Sequence, residues 1–145
     1  MSEGNLAELP GWALELLRSA PVAHLGILDD EDRPRVLPVT FALTEGRLYS
    51  AVDDKPKRVP GRRLARVRHL RRRPEAALTV DRYDDDWSKL AWVQVLGAVR
   101  IIDDPSERPG AIAALRAKYE PYGHRSPDGP LLELTPTRVL HWRAV

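Results

Sequence analysis

The side chains best equipped for chemistry are cations. Lys55, Lys57, Arg58, Arg62, Arg63, Arg66, Arg68, Arg71, Arg72 and Arg73 make ten basic residues in one stretch that contains no Asp or Glu. A phosphate needs several strong donors at once, and ammonium and guanidinium groups supply the strongest. The stretch starts just beyond Leu48-Tyr49-Ser50-Ala51-Val52, so strand-end amides and the Ser50 hydroxyl add directional donors beside Lys55, Lys57 and Arg58. Elsewhere the chain carries 13 basic against 21 acidic residues, a balance of −8 hidden within a net charge of +2. One cationic segment on an acidic body suggests a local anion site more than a surface for a long polyanion. The competing reading is a solvated helix face with its flanking loop.

Other chemistry is thinly represented. There is no cysteine, which removes disulfides, thiolate nucleophiles, iron–sulfur clusters and cysteine-ligated zinc. Gly-rich nucleotide loops, the zinc-protease helix and the serine-nucleophile elbow are all missing. His24, His69, His124 and His141 are scattered and never spaced i, i+4, so no metal site is expected. Asp84-Asp85-Asp86, with Asp81 nearby, lacks the glycine and terminal glutamate of a calcium loop and reads as a solvated turn. His24 lies in an apolar strand and reads as a hydrogen-bonded core or pocket residue. Trp87 and Trp92 offer flat apolar surface for a ring system, or else belong to the core or a dimer interface.

The elements that must position these residues are mainly strands. Ala13, Leu16, Leu17 and Ala20 share one face of a helix that opens at Pro10-Gly11 and ends at Pro21. Runs 22–28 and 35–43 read as a hairpin about the Asp29–Pro34 turn, with Pro38 demanding an edge or bulged strand. Strand 48–52 follows. A helix over about 62–73 places Leu64, Val67 and Leu70 inward, and Pro74 closes it. Strands 76–83 and 90–102 come next, with a bend or bulge at Gly97. Ser106 offers an N-cap to a helix carrying Ile112, Leu115 and Tyr119 and ending near Pro121. Strands 131–134 and 138–142 close the chain. Short turns between neighbours favour a mainly β (α+β) antiparallel barrel with marginal helices over a parallel sheet. With 145 residues and 43% hydrophobic content, one domain over 1–145 is expected. No apolar run nears the ~18 residues of a membrane span and the start lacks a secretory pattern, so a cytoplasmic protein is expected.

The succession Arg33-Pro34-Arg35-Val36-Leu37-Pro38-Val39, Leu48-Tyr49-Ser50-Ala51-Val52, Lys55-Pro56-Lys57-Arg58, Leu70-Arg71-Arg72-Arg73-Pro74-Glu75-Ala76 and Tyr83-Asp84-Asp85-Asp86-Trp87 closely resembles the pyridoxamine 5′-phosphate oxidase-like split-barrel flavoproteins. More narrowly it resembles their actinobacterial branch that uses the deazaflavin coenzyme F420. The resemblance spans nearly the whole chain, and it implies an FMN-binding type split β-barrel and a homodimer with cofactor in the grooves between subunits. By matching position it assigns the ring-contacting strand to Arg35, Val36, Leu37, Pro38 and Val39, and the second wall to Ser50, Ala51 and Val52. The phosphate falls to Lys55, Lys57 and Arg58. Arg66 becomes a tail contact, Trp92 faces the groove, and Trp87 belongs to the partner's side. Two positions depart from the family pattern: His69 stands where Asn is common, and Arg73 where an acidic or amide residue is. The end at His141-Trp142-Arg143-Ala144-Val145 lacks the arginine-bearing segment that pyridoxamine phosphate oxidases use, so that activity is not expected.

The resemblance and the charge together imply an oxidoreductase in which reduced deazaflavin delivers hydride to a small organic acceptor. The cofactor carries the chemistry, which suits a chain without an obvious nucleophile or acid–base pair. A phosphate with an oligoglutamate tail also rationalises ten clustered cations better than flavin mononucleotide (FMN) alone. Rival expectations are an FMN-binding or tetrapyrrole-binding split barrel, and a non-catalytic F420 carrier. Nucleic acid is disfavoured, since the basic helix lacks interleaved aromatics and the body is acidic. Of the helical arginines, Arg66 and then Arg63 are the tail candidates, while Arg71 to Arg73 read as solvated surface.

Overall fold

The computed structural model describes residues 5–52 and 60–144, with residues 60–64 as backbone only. Helix α1 (Gly11–Ser19) buries Ala13, Leu16 and Leu17, the face expected from their spacing. Strands β1 (Ala23–Leu28) and β2 (Pro34–Val39) form the expected antiparallel hairpin. Its turn is closed by Asp29, whose carboxylate accepts from the amides of Glu31 and Arg33 at 2.9 and 3.0 Å. Alternation along β1 turns Leu25 and Ile27 into the core and leaves His24 exposed, so His24 is not a core residue.

The single run expected over 35–43 is broken at Thr40-Phe41, after which β3 (Ala42–Thr44) begins. The Phe41 groups at the break are met by a distant side chain: the Tyr119 hydroxyl accepts from the Phe41 amide at 3.0 Å and also lies 3.1 Å from the Phe41 carbonyl. Backbone groups that leave a ladder need such partners when buried. Glu45 and Gly46, both at positive φ, then make the tight hairpin into β4 (Arg47–Ala51), a turn for which glycine at the second position is well suited.

Helix α2 (Pro60–Arg72) is followed by β5 (Glu75–Arg82), β6 (Ala91–Ile102) and β7 (Leu131–Arg143). β7 is one strand of 13 residues where two were expected, because Pro136 is absorbed by a bulge. Leu96 pairs with Arg138 but Gly97 pairs with Pro136, leaving Thr137 as the extra residue. Gly97 is required there: a Cβ would stand 2.0 Å from the Thr135 carbonyl oxygen. Asp104, not Ser106, caps the short turn 105–107, accepting from the Ser106 amide, and α3 (Pro109–Lys118) starts after it. A further short helix, α4 (Glu120–His124), holds Pro121 near its start.

The strands form one seven-stranded antiparallel sheet in the order β2-β1-β5-β6-β7-β4-β3. Its two outermost strands, β2 and β3, are separated in the chain only by Thr40 and Phe41. A connection of two residues spans a few ångströms, so the sheet must curl until its ends meet. Among the described residues no ladder joins those ends, and the result is the expected antiparallel split β-barrel with helices at its margins. Pro38, which cannot donate, sits on the free edge strand. Leu25, Phe41, Leu70, Val80, Val93 and Val95 lie in the core enclosed by the sheet, α1 and α2, while Tyr49, Leu115 and Leu131 form a second cluster under α3.

Candidate functional site

The seam where the sheet's ends meet carries two cavities that share Arg66. One, of about 410 Å³, is lined by Ile27, Arg35, Leu37, Ala65, Arg66 and His69. The other, of about 230 Å³, is lined by Pro38, Val39, Thr40, Ser50, Ala51, Arg66 and Tyr122. β1 and β2 wall the larger cavity, β2 and β4 wall the smaller, and α2 lays Arg66 across both. The alternation of β2 and the spacing of α2, with Arg66 and His69 three residues apart on one face, bring these groups together. The larger volume lies in the range of small-molecule sites, about 300–1,000 Å³, and the smaller falls just below it.

Of the residues expected from sequence, Arg35, Leu37, Pro38, Val39, Ser50, Ala51 and Arg66 line this groove. Val36 does not: strand alternation leaves it 70% exposed. Val52 follows β4 and is packed into the main core. Trp87 and Trp92 line neither cavity of this chain and are 68% and 36% exposed at the far end of β5 and β6. Lys55, Lys57 and Arg58 lie outside the described residues, as do the side chains of Arg62, Arg63 and Leu64. The Ser50 hydroxyl is buried and donates to the Thr40 carbonyl at 2.7 Å. Its proton therefore holds the corner between β2 and β3, and its oxygen is left as an acceptor rather than as the expected phosphate donor.

Three polar groove residues were not singled out from the sequence as ligands, Thr40, Tyr122 and His69, nor were the apolar Ile27 and Ala65. The Thr40 hydroxyl and Tyr122 hydroxyl lie 3.2 Å apart across the corner. No local pattern links positions so far apart in the chain. His69 has a local signal, its spacing from Arg66, and the structure gives it a partner: Nδ1 is 3.1 Å from Asp30 Oδ1. Burial alone pushes the Asp30 carboxyl up, but the bonds from His69 and Arg68 outweigh it and hold Asp30 below the usual carboxylate range.

Arg71, Arg72 and Arg73 are not merely solvated. Arg72 donates to the Asp29 carbonyl and the Asp32 carboxylate, both at 3.1 Å, and Arg73 donates to the same Asp32 oxygen at 2.7 Å. Arg71 pairs with Asp103. Exposed pairs contribute at most about 1 kcal/mol each, yet together they tie the end of α2 to the β1–β2 turn and to the end of β6, and so fix the helix that roofs the groove. Asp86 and Asp84 are engaged in their own turn, with Asp86 capping residues 87–89 and Asp84 accepting from the Asp86 amide. No cluster of metal-ligating side chains occurs among the described residues, and none of their helices is long and apolar enough to cross a membrane.

The split-barrel fold agrees with what comparison shows. The sequence pattern of the pyridoxamine 5′-phosphate oxidase family matches residues 10–143. The chain belongs to this family. Solved structures with the family's split-barrel fold superpose on nearly the whole chain. A conserved hypothetical protein from Mycobacterium tuberculosis has a TM-score of 0.73 at 14% identity, over 93% of this chain and 85% of that one. An F420 reductase gives 0.66 at 21% identity, over 91% and 98%. The FAD binding protein from Mycobacterium smegmatis gives 0.65 at 15% identity, over 94% and 96%. At such identities the likeness is one of fold. No curated protein matches the chain.

Proposed function

We propose that this member of the pyridoxamine 5′-phosphate oxidase family is a cytoplasmic oxidoreductase. In this reading the seam groove holds coenzyme F420, and hydride passes between the deazaflavin and a small organic substrate. The observation that carries the reading is the groove's division: apolar walls from Leu37 and Val39 on β2 and Ala51 on β4, with Arg35 and Arg66 at one side. Flat apolar walls suit a tricyclic ring and guanidinium groups suit a phosphate or an acidic tail. When bound, a deazaflavin supplies hydride chemistry of its own. The chain's part is to grip the ring between β2 and β4 and to neutralise the anionic end with Arg35 and Arg66. Lys55, Lys57 and Arg58 are assigned to the phosphate by family position alone.

Exposed aromatic side chains support a homodimer as part of the same proposal. Trp92 stands opposite Trp142 across the β6–β7 ladder, and with Trp87 and Tyr83 they leave four large aromatic side chains 36–68% exposed. Such a patch on a small chain marks an interface, and the partner's Trp87 and Trp92 are then available to a neighbouring groove. Light scattering of the purified protein should give twice the chain mass of 16.4 kDa. Equilibrium dialysis against F420 and against FMN tests the cofactor. Micromolar retention of F420, with oxidation of its reduced form by an enone, quinone or nitro compound, is the expected result. Retention of FMN alone assigns the groove to flavin, saturable F420 binding without turnover assigns a carrier, and binding of neither ends the reading.

A further inference from the structure

We propose that His69 is a proton-gated anion ligand of the groove, oriented by Asp30 so that its ring engages a phosphate or carboxylate only when protonated. The inference deepens the cofactor reading and rests on it for the ligand's anionic end. It starts from the 3.1 Å contact of Nδ1 with Asp30 Oδ1. An ionised carboxylate has only lone pairs to offer, so Nδ1 must carry the hydrogen. In the neutral ring Nε2 is then an acceptor, which repels an anion. Protonation makes Nε2 a charged donor, which attracts one. No hydrogen bond to Nε2 occurs among the described residues, and the ring, mostly buried at 9% exposure, lines the 410 Å³ cavity with Arg35 and Arg66.

The charged surroundings favour this role. Arg68, on the same helix, shares Asp30 by binding its other oxygen at 3.3 Å. From the β1–β2 turn, Asp29 and Asp32 are already engaged by Arg33, Arg72 and Arg73. Near β6, Asp103 is engaged by Arg71. Asp30 is therefore the carboxylate left to the imidazole, and the lining of the cavity holds no acid among its described residues.

Sulfate is the probe, because its charge is constant over the pH range in which histidine titrates. Binding is followed by amide and imidazole NMR shifts at pH 5.5 and 8.0, at fixed ionic strength. The expected result is about tenfold tighter sulfate binding at pH 5.5, with shifts at Arg35, Arg66 and the His69 ring. His69→Gln and His69→Asn should bind with one affinity at both pH values. Asp30→Asn, which frees the ring to turn, should weaken sulfate binding at pH 5.5 and diminish the sulfate-induced shift of the His69 ring, a readout that a merely structural role for Asp30 leaves unchanged. Equal wild-type affinity at both pH values, an unchanged rise in either His69 variant, or shifts confined to other histidines overturns the proposal. Should the variants misfold, the wild-type His69 imidazole signal decides alone: no sulfate response at pH 5.5 overturns it. Loss of F420 and FMN binding with the sulfate effect intact sinks the cofactor reading and spares this one.

Discussion

Glu133→Gln probes the polar contact that fastens the groove's second wall. Tyr49 and Glu133 are cross-strand partners of β4 and β7, 1% and 5% exposed. The Tyr49 hydroxyl donates to Glu133 Oε2 at 2.8 Å, and Arg108 Nε donates to the same oxygen at 2.6 Å. Burial raises the Tyr49 hydroxyl to about 12, helped by the neighbouring carboxylate. Burial also pushes Glu133 up, but the bonds from Arg108 and Tyr49 outweigh it and leave its carboxyl below the ordinary value. Removing one partner of a fully buried pair costs about 3–5 kcal/mol. Here the Arg108 side chain is 26% exposed and glutamine keeps one acceptor, so we expect about 2 kcal/mol, or a Tm lower by about 6–8 °C for a chain of this size. The sign with pH follows from the depressed carboxyl. Its contribution is whole above the unfolded-state value and lost as pH falls through the folded one, so the gap between wild type and variant must narrow on acidification. Urea unfolding at pH 7 and pH 4 checks both statements. A difference at pH 7 under about 0.5 kcal/mol, the scale of a neutral surface change, or a gap that widens in acid, refutes the reasoning.

Three further outcomes are expected. Arg66→Met should weaken F420 binding about tenfold to a hundredfold by dialysis while leaving the circular dichroism unchanged, since it removes a charge-assisted donor from both cavities. Gly97→Ala should cost about 3 kcal/mol in urea unfolding, because the new methyl meets backbone rather than a flexible side chain at the β6–β7 bulge. Lys118 has a buried Nζ without a hydrogen-bond partner, 3.7 Å above the Phe41 ring, and burial lowers it from 10.5 to about 8. Lys118→Met should therefore stabilise by about 1 kcal/mol at pH 7, the lost cation–π contact offsetting part of the relieved desolvation. The wild type should gain stability as pH rises from about 8 toward 10.5, where the unfolded chain binds the extra proton.

How much was legible depended on how far apart in the chain the causes lay. The buried face of α1, the edge placement of Pro38 and the bulge at Gly97 follow from residues within a few positions of each other, and all were readable. The continuity of β7 through residues 131–143, expected as two strands, was not readable because only the partner β6, through Gly97, makes room for the bulge at Pro136. Arg71 to Arg73 looked solvated since Asp29, Asp32 and Asp103, their acceptors, come from other elements. The break at Thr40-Phe41 was invisible for the same reason, its partner Tyr119 lying 78 positions on. In the groove, the strand walls and Arg66 came from the family resemblance, and most of those residues line the two cavities. Tyr122 was not, and the Ser50 hydroxyl was given to a ligand when its proton belongs to Thr40.

The two-residue link at Thr40-Phe41 has a thermodynamic consequence. Since the groove lies where the first and last strands of the sheet come together without a ladder, a molecule bound there acts as a clasp across the open side of the barrel. Unfolding must then release it, so the barrel's stability becomes a function of free ligand concentration: about 2.7 kcal/mol at a hundred times Kd. The seam that leaves this sheet unclosed is thus also the place where an occupant can complete it.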